Sequence, residues 1–182
     1  MNLKHQFLLA MPGLAGEYFA DSLTYICEHN EDGAMGLIIN RSADMSLVEL
    51  FAQLGLPVDH KWVDTPVLEG GPVSPERGIV LHSQDKLYAS SAGLDDGLAL
   101  STALEVLDDI AAGNGPKKFL VALGYAGWGP GQLEDEIAGN VWLTIDADPQ
   151  IIFTEDLAAK LDQAARTLGI DIRLIAGKAG HA

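Results

Sequence analysis

The chain has 182 residues, 48% hydrophobic and 20% charged, with 26 acidic against 11 basic side chains and a formal net charge of −15. This size and apolar content fit one globular domain over residues 1–182 and exclude a disordered chain. No basic cluster exceeds Lys117-Lys118, so direct binding to DNA or RNA, or to an anionic membrane surface, is disfavoured.

The elements follow in chain order. Phe7 to Met11 reads as a buried strand stopped by Pro12-Gly13. Its apolar run falls short of the roughly 7–15 residues of an export signal core. Leu23 to His29 and Ala34 to Asn40 form a hairpin across the Asn30–Gly33 turn. Ser46-Leu47-Val48-Glu49 is a capping box that starts a helix ending at Gly55. Pro66-Val67-Leu68 leads to the Gly70-Gly71-Pro72 turn. Gly78 to His82 and Lys86 to Ser90 are expected to pair through Ser83–Asp85. A second helix starts near Ser101 or Thr102, with Leu104, Leu107, Ile110 and Ala111 inward.

Lys118 to Leu123 is a strand, followed by a glycine-rich loop from Gly124 to Gly131 and a short helix from Gln132 to Ala138. Val141 to Ile145 is a strand. Thr154 is expected to cap a last helix with the stripe Leu157, Leu161, Ala164, Ala165 and Leu168. Ile170 to Ile175 reads as a final strand, and Gly177 to Ala182 as a frayed tail. Early hairpins followed by β–loop–α units predict a mixed sheet flanked by about four helices, an α+β fold.

Chemistry-bearing residues are few. The loop at 124–131 has neither dinucleotide nor phosphate-loop spacing. Glu134, Asp135 and Glu136 already occupy the following helix start and would repel a phosphate. A small polar or cationic ligand against Trp128 and Glu134 suits it better.

Cys27 is the single cysteine, which excludes an internal disulfide and multi-cysteine metal sites and favours a reducing cytoplasm. Strand alternation puts Cys27 and His29 on one face and Glu28 on the other. A catalytic thiol or a metal held by His29, His82 and Glu28 is conceivable, but a buried thiol and hydrogen-bonded histidines are the plainer reading. Arg41 and Arg77, two of four arginines, stand at strand ends, where each either pairs with a carboxylate or receives an anion.

Five stretches in order resemble the YqgE/AlgH family of bacterial proteins. They are Tyr25–Asn30, Gly33–Arg41, Gly70–Val73, Arg77–His82 and Leu123–Glu134. Ser42 follows Arg41 where the family usually has proline. The resemblance implies a single compact domain with a strongly curved mixed sheet. It supplies no reaction, and its members are often labelled transcriptional regulators. The polar motif residues that match are His29, Asn30, Asn40, Arg41, Arg77, His82, Gln132 and Glu134.

The favoured expectation is a cytoplasmic protein without cofactor or metal. It binds a small ligand or protein partner and acts indirectly in regulation. Asn30, Asn40, Arg41, Arg77, Tyr125, Trp128, Gln132 and Glu134 are the ligand-binding candidates. The alternatives are an enzyme using His29, His82 or Cys27 with Arg41 or Arg77, and a transcriptional regulator, against which the charge argues.

Overall fold

The structure is a computed structural model that describes residues 1–178. Its first strands are β1 (Gln6–Ala10), β2 (Leu23–Asn30), β3 (Gly33–Ile38), β4 (Ser42–Ser46) and β5 (Pro66–Glu69). The later ones are β6 (Val73–Ser83), β7 (Ala92–Gly93), β8 (Leu98–Ser101), β9 (Phe119–Trp128) and β10 (Trp142–Asp146). The helices are α1 (Leu47–Gln53), α2 (Leu104–Ala111), α3 (Gln132–Ala138), α4 (Pro149–Ile152), α5 (Leu157–Arg166) and α6 (Ile172–Lys178). The fold is α+β. Its strands pair antiparallel except β5 and β9, which run parallel and make the sheet content mixed. Six helices are described where four were expected.

Two units divide the chain: Met1–Arg41 with the segment from Ala126 onward, and Ser42–Tyr125. In the first, β1 lies between β10 and β2, with Phe7 opposite both Ile145 and Tyr25. The β2–β3 turn is closed by Asn30, whose Oδ1 accepts the Asp32 N–H. Ala34 and Gly36 of β3 lie opposite Trp128 and Ala126 of β9. So β9 runs on as a strand to Trp128, where a glycine loop was expected, because these residues find ladder partners. Leu8, Ile26, Ala126, Trp128, Leu133 and Trp142 pack as one core cluster.

The C-terminal elements correct three expectations. Asp156, not Thr154, caps α5, accepting the Ala158 N–H. Thr154 instead donates its hydroxyl to the Gln150 carbonyl. Leu168 is exposed, and Lys160 takes a buried place in the stripe. Ile170 to Ile175 is no strand, because α6 begins there. Asp171 accepts the Arg173 N–H and grips its guanidinium, so the backbone donors are met locally as at any capped helix start. Of the tail, Gly177 and Lys178 belong to α6, and residues 179–182 lie outside the described residues.

In the second unit β6 pairs with both β8 and β9. The expected Lys86–Ser90 strand is absent. That segment is held by side chains instead: Lys86 reaches the Asn114 carbonyl and Asp109, and the Tyr88 N–H donates to Ser91 Oγ. Ser101 ends β8, so α2 begins three residues later than Ser101. This leaves Leu104 exposed and turns Val106 inward beside Leu107 and Ile110. These meet Leu47, Leu50 and Phe51 of α1 over Val67, Val80 and Val121.

The capping box is formed as read: Ser46 Oγ accepts the Glu49 N–H, and Glu49 accepts the Ser46 N–H. Ser46→Ala is expected to cost about 1 kcal/mol, measured by urea unfolding. Among the described residues no helix is long and apolar enough to cross a membrane.

Candidate functional site

Where β9 ends, Gly129-Pro130-Gly131 turns the chain directly into α3. Gln132 stabilises the turn, its Oε1 accepting the Gly129 N–H at 3.0 Å. One helical turn later stands Glu136, within reach of the same side chain. Gln132 Nε2 donates to Glu136 Oε1 at 3.0 Å. The other carboxylate oxygen accepts two indole N–H groups, from Trp128 at 2.8 Å and Trp142 at 2.7 Å. Three N–H donors therefore converge on one carboxylate, and no cation pairs with it among the described residues.

This arrangement sets the two indoles nearly perpendicular, at 79° with centroids 6.0 Å apart. Phe19, from the loop after β1, meets Trp142 edge to face at 5.4 Å. It lies 29° from the plane of Trp128 at 6.4 Å. Together with Leu14, Ala15, Gly16, Gly127 and Val141, these side chains line a cleft of about 270 Å³. Both indoles are nearly buried, so what they offer the cleft is limited to ring surface.

Beside the cleft, His29 joins β2 to α3. Its Nδ1 accepts the Leu3 N–H at 2.9 Å, so the ring proton sits on Nε2 and is donated to Glu134 Oε1 at 2.6 Å. The Glu134 backbone N–H, then the His29 imidazole, hold the Glu134 carboxyl below its ordinary range. Both ring nitrogens are engaged within the fold.

Cys27 does not share the face of His29. A bulge between Ile26 and Glu28 makes Cys27 the extra residue of β2. Ile26 and His29, opposite Gly36 and Ala34, then share one face. Burial, then the neighbouring Glu28, push the Cys27 thiol far above its usual value. Alkylation of Cys27 at neutral pH is therefore expected to be slow in the folded protein and fast in denaturant, as followed by mass spectrometry. Glu28 is exposed and lies 4.0 Å from Lys4. Among the described residues no cluster of three His, Cys, Asp or Glu could hold a metal.

The other sequence candidates have local duties. Asn40 clasps the chain before β2, accepting the Leu23 N–H and donating to the Asp21 carbonyl. Among the described residues Arg41 pairs with no carboxylate; it donates to the Ala20 carbonyl and covers the Tyr18 ring at 5.1 Å. Asn30 serves its own turn.

In the second unit Arg77 is exposed, Tyr125 is half-buried opposite Val73, and His82 is fully buried. His82 Nδ1 meets the Ser83 carbonyl at 2.8 Å and so carries the proton. Nε2 then accepts from Ser101 Oγ at 2.7 Å, which in turn receives Ser91 Oγ at 2.7 Å. This is a polarised chain of buried hydrogen bonds. Of the ligand-binding candidates, the cleft thus gathers Trp128 and Gln132, with Glu134 nearby. Phe19, Glu136 and Trp142 are not among the ligand-binding candidates; Glu136 is read from the sequence only as one of three acidic residues that repel a phosphate, and its four-residue spacing from Gln132 is the further signal for it.

The fold is that of a class of α+β bacterial proteins related along nearly their whole length. A family model described as AlgH-like (DUF179) matches residues 7–173, and the chain belongs to that family. A UPF0301 protein of Cupriavidus pinatubonensis is 49% identical over 187 residues, covering 100% of this chain and 96% of the relative. The solution structure of the AlgH protein from Pseudomonas aeruginosa is 46% identical with a TM-score of 0.83, covering 100% of this chain and 97% of that one. A crystal structure from Corynebacterium diphtheriae, 20% identical with a TM-score of 0.73 over 97% of this chain and 92% of that one, shares the fold. These names state kinship and no reaction.

Proposed function

We propose that this chain is a non-enzymatic cytoplasmic protein that binds a small ligand in the cleft of Phe19, Trp128, Trp142 and Glu136 and acts indirectly in regulation. The observation that carries the reading is the cleft itself. Three aromatic rings line it together with one carboxylate, which two of them hold by their indole N–H groups and which has no cationic partner among the described residues. Concave apolar sites with one convergent polar group are the usual form of a ligand pocket.

An acid–base enzyme is the weaker reading, because His29 and His82 each spend both ring nitrogens on structural partners. Direct DNA binding is weaker still with a net charge of −15. A thermal-shift screen of small metabolites against the full chain tests the proposal. A ligand that raises the Tm of the wild type, and not of Trp142→Phe, is the expected result. A screen in which nothing stabilises the protein overturns it.

A further inference from the structure

We infer that the cleft selects a small quaternary ammonium cation that carries no carboxylate of its own. This rests on the ligand-binding reading above and names its ligand class. Among the side chains lining the cleft, Glu136 alone bears formal charge. The protein's overall −15 also concentrates cations around it. Charge complementarity therefore fixes the sign of the ligand.

The hydrogen bonds fix its kind. Glu136 already accepts three N–H groups, and both indole N–H groups are spent on it. A primary ammonium or a guanidinium seeks several new acceptors, and the carboxylate has few lone pairs left to give. A ligand carboxylate or phosphate would seek donors that the indoles no longer offer, next to a like charge. A quaternary ammonium needs neither. It is held by field and by whatever ring surface Trp128, Trp142 and Phe19 give to the cleft, the attraction that aromatic cages use. A volume of about 270 Å³ suits a head group of this size, being below the ~300–1,000 Å³ of drug-sized pockets.

The test uses the full chain and its tryptophan fluorescence, in a Trp62→Phe background that leaves Trp128 and Trp142 as reporters. It is titrated with choline, with the neutral isostere 3,3-dimethyl-1-butanol, with ethanolamine and with glycine betaine. Saturable binding of choline is expected, about 10-fold tighter than that of each of the other three. In Glu136→Gln the preference over the neutral isostere falls to near 1, and Trp142→Phe weakens both.

Equal affinity for choline and the isostere overturns the cation assignment while leaving the cleft a ligand site. Ethanolamine binding as tightly as choline overturns the quaternary class. If glycine betaine binds as tightly as choline, the exclusion of carboxylates falls. No saturable change with any of the four overturns both this inference and the binding reading of the cleft. The choline-to-isostere ratio is measured on intact Glu136, so it stands even if the Glu136 variant fails to fold.

Discussion

Lys160→Met is expected to stabilise the protein by about 2 kcal/mol at pH 7. Lys160 lies on α5, fully buried, and its Nζ donates to the Ile39 carbonyl at 2.9 Å. Burial lowers its pKa from 10.5 to about 8. That displacement corresponds to roughly 3 kcal/mol of penalty on the charged form at 1.36 kcal/mol per pH unit. The hydrogen bond lost by methionine returns about 1 kcal/mol of it.

The sign with pH follows from proton counting. Below pH 8 both folded and unfolded chains carry the proton, and the penalty is felt in full. Between about 8 and 10.5 the unfolded chain keeps a proton that the folded chain has released. Stability therefore rises with pH across that window. Urea unfolding at several pH values checks this: the rise is present in the wild type and absent in the methionine variant. A variant that keeps the same slope would mean that another group causes it.

Gly33→Ala acts in the opposite direction, with an expected loss of 3 kcal/mol or more, on the order of the larger single-residue effects. Gly33 opens β3 at φ +133, and a Cβ placed there would run into the Trp128 carbonyl. The neighbouring pair Ala34–Trp128 is a rung of the β3–β9 ladder. Relieving the clash would move Trp128, the residue that begins the cleft. The comparison is Gly13→Ala, at φ +77 with nothing within 4 Å, which bears the backbone strain alone and is expected to cost about 1 kcal/mol. Equal losses for the two variants would show that the collision with Trp128 contributes nothing. Near-UV circular dichroism of the tryptophans should change for Gly33→Ala and not for Gly13→Ala.

What could be read from the residues is whatever local chemistry decides. The Ser46–Glu49 box and the Asn30–Gly33 turn carry their own hydrogen bonds, and both formed where expected. The limits of α3 were legible because Gly131 and Gly139 bracket it. Ile170 to Ile175 misled because a β-branched alternation outweighed a single Asp171 cap. β8 escaped notice because four residues, Leu98–Ser101, give no period, and its pairing with β6 is a matter of tertiary context.

The site was half legible. Trp128, Gln132 and Glu134 lie within one motif. Phe19 and Trp142 come from distant stretches, and nothing in their spacing foretells that Trp142 shares an acceptor with Trp128. Lys160 was visible by spacing, four residues before Ala164, but a charged residue is not ordinarily assigned to a buried stripe.

The bulge in β2 has a consequence for which residues this hairpin can lose. With Cys27 as the surplus residue, Ile26 still faces Gly36 and His29 still faces Ala34. A homologue shortened by one residue here would keep every rung of that ladder and the His29–Glu134 bond beyond it. Removing Glu28 in place of Cys27 would let Cys27 stand opposite Met35 and leave His29 where it is, whereas removing His29 would abolish the bond. The surplus at Cys27–Glu28 is thus a one-residue spacer that this hairpin can lose without moving His29 out of reach of Glu134, while the next position has no such slack.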